Sequence, residues 1–139
     1  MGQINPAIMA HAILAEAVRR LDGGNLSFRD IVARDLLQPL GMNDTCLGMR
    51  ADLVPRGIVP RCVDDSPGLF DGEALVAVAN DIMNPELDHQ MPAAGFVSTA
   101  GDIFNLSECL RQGGALNGAR VLSPATIAFS AENHTGDTL

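Results

Sequence analysis

The chain carries serine hydroxyls that could act as nucleophiles, but it lacks two residue types that could activate them. Its nine basic residues are all arginine, and its 139 residues include no tyrosine. A serine hydroxyl is a poor nucleophile until a neighbouring base removes its proton, and lysine and tyrosine are two side chains that can do this. The composition therefore predicts that the chain alone does not catalyse acyl transfer by a mechanism in which lysine or tyrosine is the base.

Histidine and cysteine offer the next possibility, a metal or redox site. The histidines are His11, His89 and His134, and the cysteines are Cys46, Cys62 and Cys109. Their wide spacing matches neither a compact zinc motif such as His-Glu-x-x-His nor a disulfide framework, although Asp88-His89 is a ligand-like pair. We therefore expect no metal ion, no cofactor and three buried free thiols.

Charge and hydropathy exclude two classes of partner. The net charge is -8 and the pI is about 4.6, and the arginines form no cluster, whereas a nucleic-acid binder needs clustered cations. No apolar run approaches the roughly 20 residues of a membrane span, and no charged segment precedes an apolar one as in a signal peptide. We expect no nucleic acid and no membrane as partner. The location stays unknown, and cytoplasmic is the default.

Two helices are predicted in the first 40 residues. The first runs from Asn5-Pro6 to about Leu21, since Asn is a good N-cap and Pro is tolerated at the first helical position. Its apolar residues recur every three or four positions, so we expect it to be mostly buried. The second begins at a Ser27 N-cap, where Asp30 completes a capping box, and it ends before Pro39.

The remaining chain is predicted to be a long loop region followed by two further helices. Prolines interrupt residues 43–92, where only Ala51–Pro55 and Glu73–Met83 keep short apolar periodicity. A third helix begins at a Thr99 N-cap with Asp102 as its capping-box partner and ends at Gly113-Gly114. After a tight turn at 116–118, a short helix begins at Ser123. The pattern predicts a mainly α fold with little strand.

Two strings carry information beyond this periodicity. The first runs from Ser27-Phe28-Arg29-Asp30 to Pro39-Leu40-Gly41-Met42-Asn43-Asp44-Thr45. The second is Pro92-Ala93-Ala94-Gly95-Phe96-Val97-Ser98-Thr99-Ala100-Gly101-Asp102, followed by Gly113-Gly114 and Leu122-Ser123-Pro124-Ala125-Thr126. In this order and spacing they resemble the middle of the serine beta-lactamase-like family, which includes class C beta-lactamases, DD-peptidases and related esterases. Good helix capping alone accounts for the caps but not for the joint order of the strings.

The resemblance implies which site residues to expect. The family uses a Ser-x-x-Lys nucleophile, a Tyr-x-Asn or Tyr-Ser-x element and a Lys-Thr-Gly or His-x-Gly strand. The lysine and tyrosine elements are absent here, which leaves one His-x-Gly string to consider. Ile4, Asn5 and Pro6 stand where the tyrosine element is expected, substituted or truncated. His134-Thr135-Gly136 is not the third element, because its neighbours are poor strand formers. The loop of Pro92, Ala93, Ala94, Gly95 and Phe96 matches one that borders the family's substrate cleft, although plain packing would explain it equally well.

The resemblance also implies an incomplete enzyme. Residues 1–139 would form a single helical domain, the helical region of a beta-lactamase/transpeptidase-like fold with long loops and without the catalytic sheet. Its function would be that of a fragment of a serine hydrolase or esterase acting on amide or ester acyl groups, with no catalytic residue of its own. The expected partners are the missing N- and C-terminal segments of the parent hydrolase, or a self-associating copy. A non-catalytic helical interaction module is the alternative.

Overall fold

The computed structural model describes residues 6–63, 72–134 and 136, and this part of the chain is mainly α-helical. Its α-helices are α1 (Pro6–Leu21), α2 (Phe28–Val32), α3 (Gly72–Met83), α4 (Ala100–Arg111) and α5 (Pro124–Ser130). A π-helical turn, Ala33–Leu37, continues α2, and short 3-10 helices span Ala51–Arg56 and Pro85–Leu87. Four two-residue strands are β1 (Cys46–Leu47), β2 (Phe96–Val97), β3 (Ala115–Leu116) and β4 (Ala119–Arg120). The predicted mainly α class with little strand is confirmed.

The helix starts predicted from capping residues are confirmed at three places. Ser27, Thr99 and Ser123 are the N-caps of α2, α4 and α5, and each side chain accepts a hydrogen bond from the backbone N–H three residues later. In α2 the Ser27 hydroxyl also donates to the Asp30 carboxylate over 2.7 Å. Capping is a local interaction, so the sequence alone was sufficient to locate it.

The prediction that α1 is mostly buried is wrong. Ala15 is its one buried residue among the described side chains, whereas Leu14 is 62% exposed and Leu21 is 88% exposed. Helix α1 packs against α2. Periodicity indicates that a helix has an apolar face, but it does not indicate whether another element covers that face.

The buried core of the described residues consists of two clusters. One packs the π-helical turn after α2, and the residues that follow it, against α4 and β3. It contains Leu37, Leu40, Met42, Cys109 and Leu116. The other contains Cys46, Met49 and Leu53. Cys46 and Cys109 are therefore buried as predicted, but the same prediction for Cys62 is wrong, because that residue is exposed.

Residues 43–92 contain more regular structure than the proline pattern suggested. The short periodicity of Glu73–Met83 belongs to the 12-residue helix α3. Strand β1 pairs antiparallel with β2, with Cys46 opposite Val97 and Leu47 opposite Phe96. This pair joins segments about 50 residues apart, so no local pattern could predict it. The predicted tight turn is confirmed: it connects β3 and β4 with positive φ at Asn117 and Gly118.

No helix among the described residues is long and apolar enough to cross a bilayer. The longest is α1, whose 16 residues correspond to about 24 Å of helix. The hydrocarbon core of a bilayer is about 30 Å thick.

Candidate functional site

The predicted cleft loop, Pro92–Phe96, is held firmly at its C-terminal end. The Gly48 N–H donates to the Gly95 carbonyl over 2.7 Å, and the Gly95 N–H donates to the Met91 carbonyl over 2.8 Å. Gly95 is buried, and a Cβ there would lie 2.6 Å from the Met91 carbonyl oxygen. Phe96 begins β2 with 42% of its surface exposed. The loop therefore has one fixed end and one exposed aromatic side chain.

Arg29 links this region to helix α2. Its Nε donates to the Leu47 carbonyl over 2.6 Å, and its Nη2 donates to the His89 carbonyl over 2.9 Å. The remaining nitrogen, Nη1, forms an ion pair with Asp88. This ion pair lowers the pKa of the Asp88 carboxyl below its ordinary value. The fixed fork of a guanidinium suits such simultaneous contacts. Arg29 therefore fastens β1 and the 88–89 segment to the same helix.

Replacing Arg29 with glutamine should loosen this region. Two carbonyls would lose a charged donor, so we expect the free energy of unfolding to fall by about 1 to 3 kcal/mol. The Asp88 pKa should rise towards 3.8, because its largest cause of depression is the Arg29 hydrogen bond. NMR titration of the Asp88 carboxyl and hydrogen exchange at the Gly48 amide would measure both effects.

Arg111→Gln is the matched control for that variant. Arg111 pairs at 2.6 Å with Glu108 on the same exposed helix surface, so its loss should leave the Gly48 amide unchanged. Equal exchange rates at Gly48 in wild type and Arg29→Gln would contradict the role given to Arg29.

A polar cluster joins the two strings that resemble the hydrolase family. The Thr45 hydroxyl donates to Asp102 Oδ2 over 2.7 Å, and the Asp44 N–H donates to the same oxygen over 2.9 Å. Ser98 Oγ lies 2.7 Å from Thr45 Oγ1. Because Thr45 gives its only proton to Asp102, Ser98 is the donor in that bond. The Asp102 carboxylate, in a residue only 8% exposed, thus organises residues more than 50 positions away.

This cluster corrects the capping-box prediction for Asp102. The Thr99 side chain does accept from the Asp102 N–H over 3.2 Å. The Asp102 carboxylate, however, contacts Thr45 and Asp44. Aspartate is one methylene shorter than the glutamate of a normal capping box, but Asp30 is equally short and bonds to its own cap residue, so side-chain length did not predict this partner.

A small cavity lies beside the cluster. Its volume is about 70 Å³, and Asp44, Arg56, Ser98, Thr99 and four apolar or glycine residues line it: Met49, Leu53, Gly57 and Val97. Arg56 holds Asp44 through two hydrogen bonds of 2.8 Å and lowers the pKa of that carboxyl. The space suits about two water molecules, whereas ligand pockets start near 300 Å³. This cavity is therefore too small to hold an acyl substrate.

None of the hydrogen bonds of the described serines joins a serine to a histidine side chain. Ser98 bonds to the Thr45 hydroxyl, and Ser27 donates to the carboxylate of Asp30 in the first turn of α2. The others contact a backbone carbonyl or another hydroxyl: Ser107, Ser123 and Ser130. A nucleophilic serine needs a base such as histidine or lysine within hydrogen-bond distance. Within residues 6–63, 72–134 and 136, the hydrogen bonds of the serines stabilise structure.

The other residues considered from the sequence do not meet at one place. Ile4, Asn5, Ser66 and Thr135 lie outside the described residues, and Pro6 is the first residue of α1. The His134 ring contacts the Phe129 ring with centroids 4.3 Å apart, and neither lies in a strand. His89 Nε2 is buried without a hydrogen-bond partner. In the part of the chain that the structure describes, no three metal-ligating side chains are grouped.

The site is therefore an anchored loop beside a buried polar cluster, with Arg29 and Asp102 as the two organising charges. The sequence pattern pointed to the loop, placed Asp102 only at its own helix cap and gave Arg29 no role, because both side chains act on residues far away in the chain. Compared with known proteins, the chain matches no family model and no curated protein sequence.

Proposed function

We propose that the chain is the helical, cleft-bordering part of a beta-lactamase-like serine hydrolase or esterase, and that it does not catalyse acyl transfer alone. The observation that carries the proposal is the contact between the two family-like strings. They meet through Thr45, Ser98 and Asp102, next to the Pro92–Phe96 loop. Helix capping alone does not require the two strings to share a buried carboxylate.

Acyl-transfer chemistry decides which groups this chain and the parent's other segments would each contribute. An attacking serine, a base that takes its proton and N–H donors for the oxyanion must lie within hydrogen-bond distance of one carbonyl group. This chain would contribute one wall of the cleft, a loop with the exposed Phe96. The Ser-x-x-Lys, tyrosine and Lys-Thr-Gly or His-x-Gly elements would come from the parent's other segments.

Exposed apolar surface supports an incomplete fold. Several large apolar side chains are at least 40% exposed on two of the described helices: Ile13, Leu14 and Leu21 on α1, and Ile103, Phe104 and Leu110 on α4. A soluble protein that exposes large apolar patches normally covers them with a partner or another segment. In the proposed parent, the missing sheet and helices would cover them.

Two measurements test the proposal. Pure protein incubated with a chromogenic beta-lactam and a short-chain aryl ester should give no turnover above buffer, and turnover abolished by a serine-directed phosphonate would contradict the inactivity. The DNA that flanks the reading frame should encode Ser-x-x-Lys upstream and a Lys-Thr-Gly or His-x-Gly strand downstream. Flanking DNA that lacks both elements would contradict the parentage.

The alternative function is a non-catalytic helical interaction module. The same exposed surface favours it, because a module would use that surface to bind a partner or a second copy. Light scattering separates the two functions. A discrete dimer favours the module, whereas aggregation that is relieved by adding the missing segments favours the hydrolase fragment.

A further inference from the structure

A segment of irregular backbone, residues 57–62, follows helix α3 from end to end. A Cβ on Gly57 would collide with Met83 Cε, at the end of α3. A Cβ on Gly72, at the start of α3, would collide with the Cys62 sulphur atom. The two glycines thus let the segment approach both ends of the helix, in the antiparallel direction. Six extended residues cover about 17 Å and the 12 residues of α3 about 18 Å, so the segment is nearly extended.

A groove of about 600 Å³ lies between the middle of this segment and α3. Its volume is within the roughly 300 to 1,000 Å³ of small-molecule sites, unlike that of the cavity beside Asp102. The residues that line it include Ile58, Val59 and Pro60 of the segment and Val76 of α3. Apolar surface for a ligand is therefore available on both sides. We call this space the α3 groove.

Arg61 lines the α3 groove and is exposed. Eight of the nine arginines bind a carboxylate or a backbone carbonyl, whereas Arg61 binds neither within the described part of the chain. A guanidinium keeps its charge at physiological pH, and its planar fork matches the two oxygens of a carboxylate. The groove therefore offers one positive charge that no described carboxylate pairs with.

We propose that the α3 groove binds a small monocarboxylate with an alkyl chain. Its carboxylate would pair with Arg61, near the start of α3. Ile58 lies three residues away towards the other end of the groove, about 10 Å along an extended segment, and 88% of its surface is exposed. Together with Val76 it would contact the alkyl chain. The charge and the apolar surface of the groove are thus separated in the same way as the head and tail of such a ligand.

The charges in the groove select a monoanion. Arg61 is its one basic lining residue, whereas phosphate groups are usually bound by several cations or by the N–H groups at a helix N-terminus. On α3 the lining residues are Val76 and Asn80, which lie beyond the first turn. The net charge of -8 also opposes a dianion more strongly than a monoanion. Because the segment contacts α3 at both ends, a small molecule fits the space better than a polypeptide that continues along the helix.

Titration of the full chain with octanoate, followed by NMR, tests the proposal. We expect saturable shifts at the backbone amides of Ile58, Arg61 and Val76, with a dissociation constant on the order of 1 mM for so small a ligand. Acetate has the same head without the chain, and octanol has the chain without the charge. Each should bind at least about tenfold more weakly, because each loses one of the two contacts.

Two variants separate the two contacts. Arg61→Gln should weaken octanoate binding at least about fivefold, because the ion pair is lost. Arg111→Gln changes the net charge equally at an ion-paired position outside the groove and should leave the binding unchanged. Ile58→Ser should weaken binding about threefold, and its control is Val63→Ser, at a 95% exposed residue that does not line the groove. All four side chains are exposed, so each variant should fold.

Four results would overturn the proposal. The first is the absence of saturable shifts at the three amides, and the second is equal affinity for octanoate in wild type and Arg61→Gln. The third is equal affinity for octanol and octanoate, which would indicate non-specific apolar contact. The fourth is binding of a peptide through its C-terminal carboxylate, at the same amides, without binding of octanoate. None of these results bears on the proposed hydrolase parentage, which turnover and the flanking DNA test separately.

Discussion

Replacing Gly48 with alanine should destabilise the protein by about 2 to 5 kcal/mol, a large part of the 5 to 15 kcal/mol that a domain of this size has. Gly48 has a φ of +71°, which an alanine adopts only with strain. Its Cβ would also lie 2.1 Å from the His89 carbonyl oxygen and 2.9 Å from Arg29 Nη2. The new methyl group would therefore push the His89 carbonyl away from β1, although Arg29 binds both.

Gly41→Ala is the matched control for this variant. Gly41 has a similar φ of +66°, but a Cβ there would meet no atom within 4 Å. It should therefore show the backbone strain alone, about 1 to 2 kcal/mol. Urea unfolding of both variants measures the difference. Equal losses in the two would contradict the close approach of the 88–89 segment to β1.

The second large effect is expected from Asp102→Ala, which should destabilise the protein by about 2 to 4 kcal/mol. The variant leaves the Asp44 N–H and the Thr45 hydroxyl without their acceptor in a buried place. It also removes a negative charge from the first turn of α4, where the helix dipole favours one. Asp102→Asn should cost less, because an amide oxygen can still accept one of these bonds.

A double-mutant cycle with Thr45→Val would show that the loss comes from this contact. The two residues share one 2.7 Å bond, so we expect a coupling energy of at least about 0.5 kcal/mol. Asp52→Ala is the matched control, because Asp52 pairs with Arg50 on an exposed surface and should cost about 0.5 kcal/mol or less. A coupling of zero between Asp102 and Thr45 would mean that the two strings are held together by other contacts.

These two variants test different parts of the proposed function. Gly48 and Arg29 fix the position of the 88–96 segment, whereas Asp102 and Thr45 hold the two family-like strings together. If the chain borders a substrate cleft, both sets of contacts shape that wall. Both sets of contacts fix the relative positions of segments that are far apart in the chain.

The sequence alone was sufficient for the features that depend on nearby residues. Ser27, Thr99 and Ser123 were identified as helix caps, because a cap bonds to an N–H only three residues away. The turn at Asn117-Gly118 was identified because few residues tolerate positive φ. The lack of lysine and tyrosine, on which the prediction of inactivity depends, is also a property of the sequence itself.

Only the tertiary structure decided how these elements meet. It left the apolar face of α1 exposed, paired Leu47 with Phe96, and turned the Asp102 carboxylate from its own helix towards Thr45. Each of these outcomes depends on which distant segment closes onto another. Helical periodicity and capping describe an element's own surface, and they carry no information about the segment that packs against it.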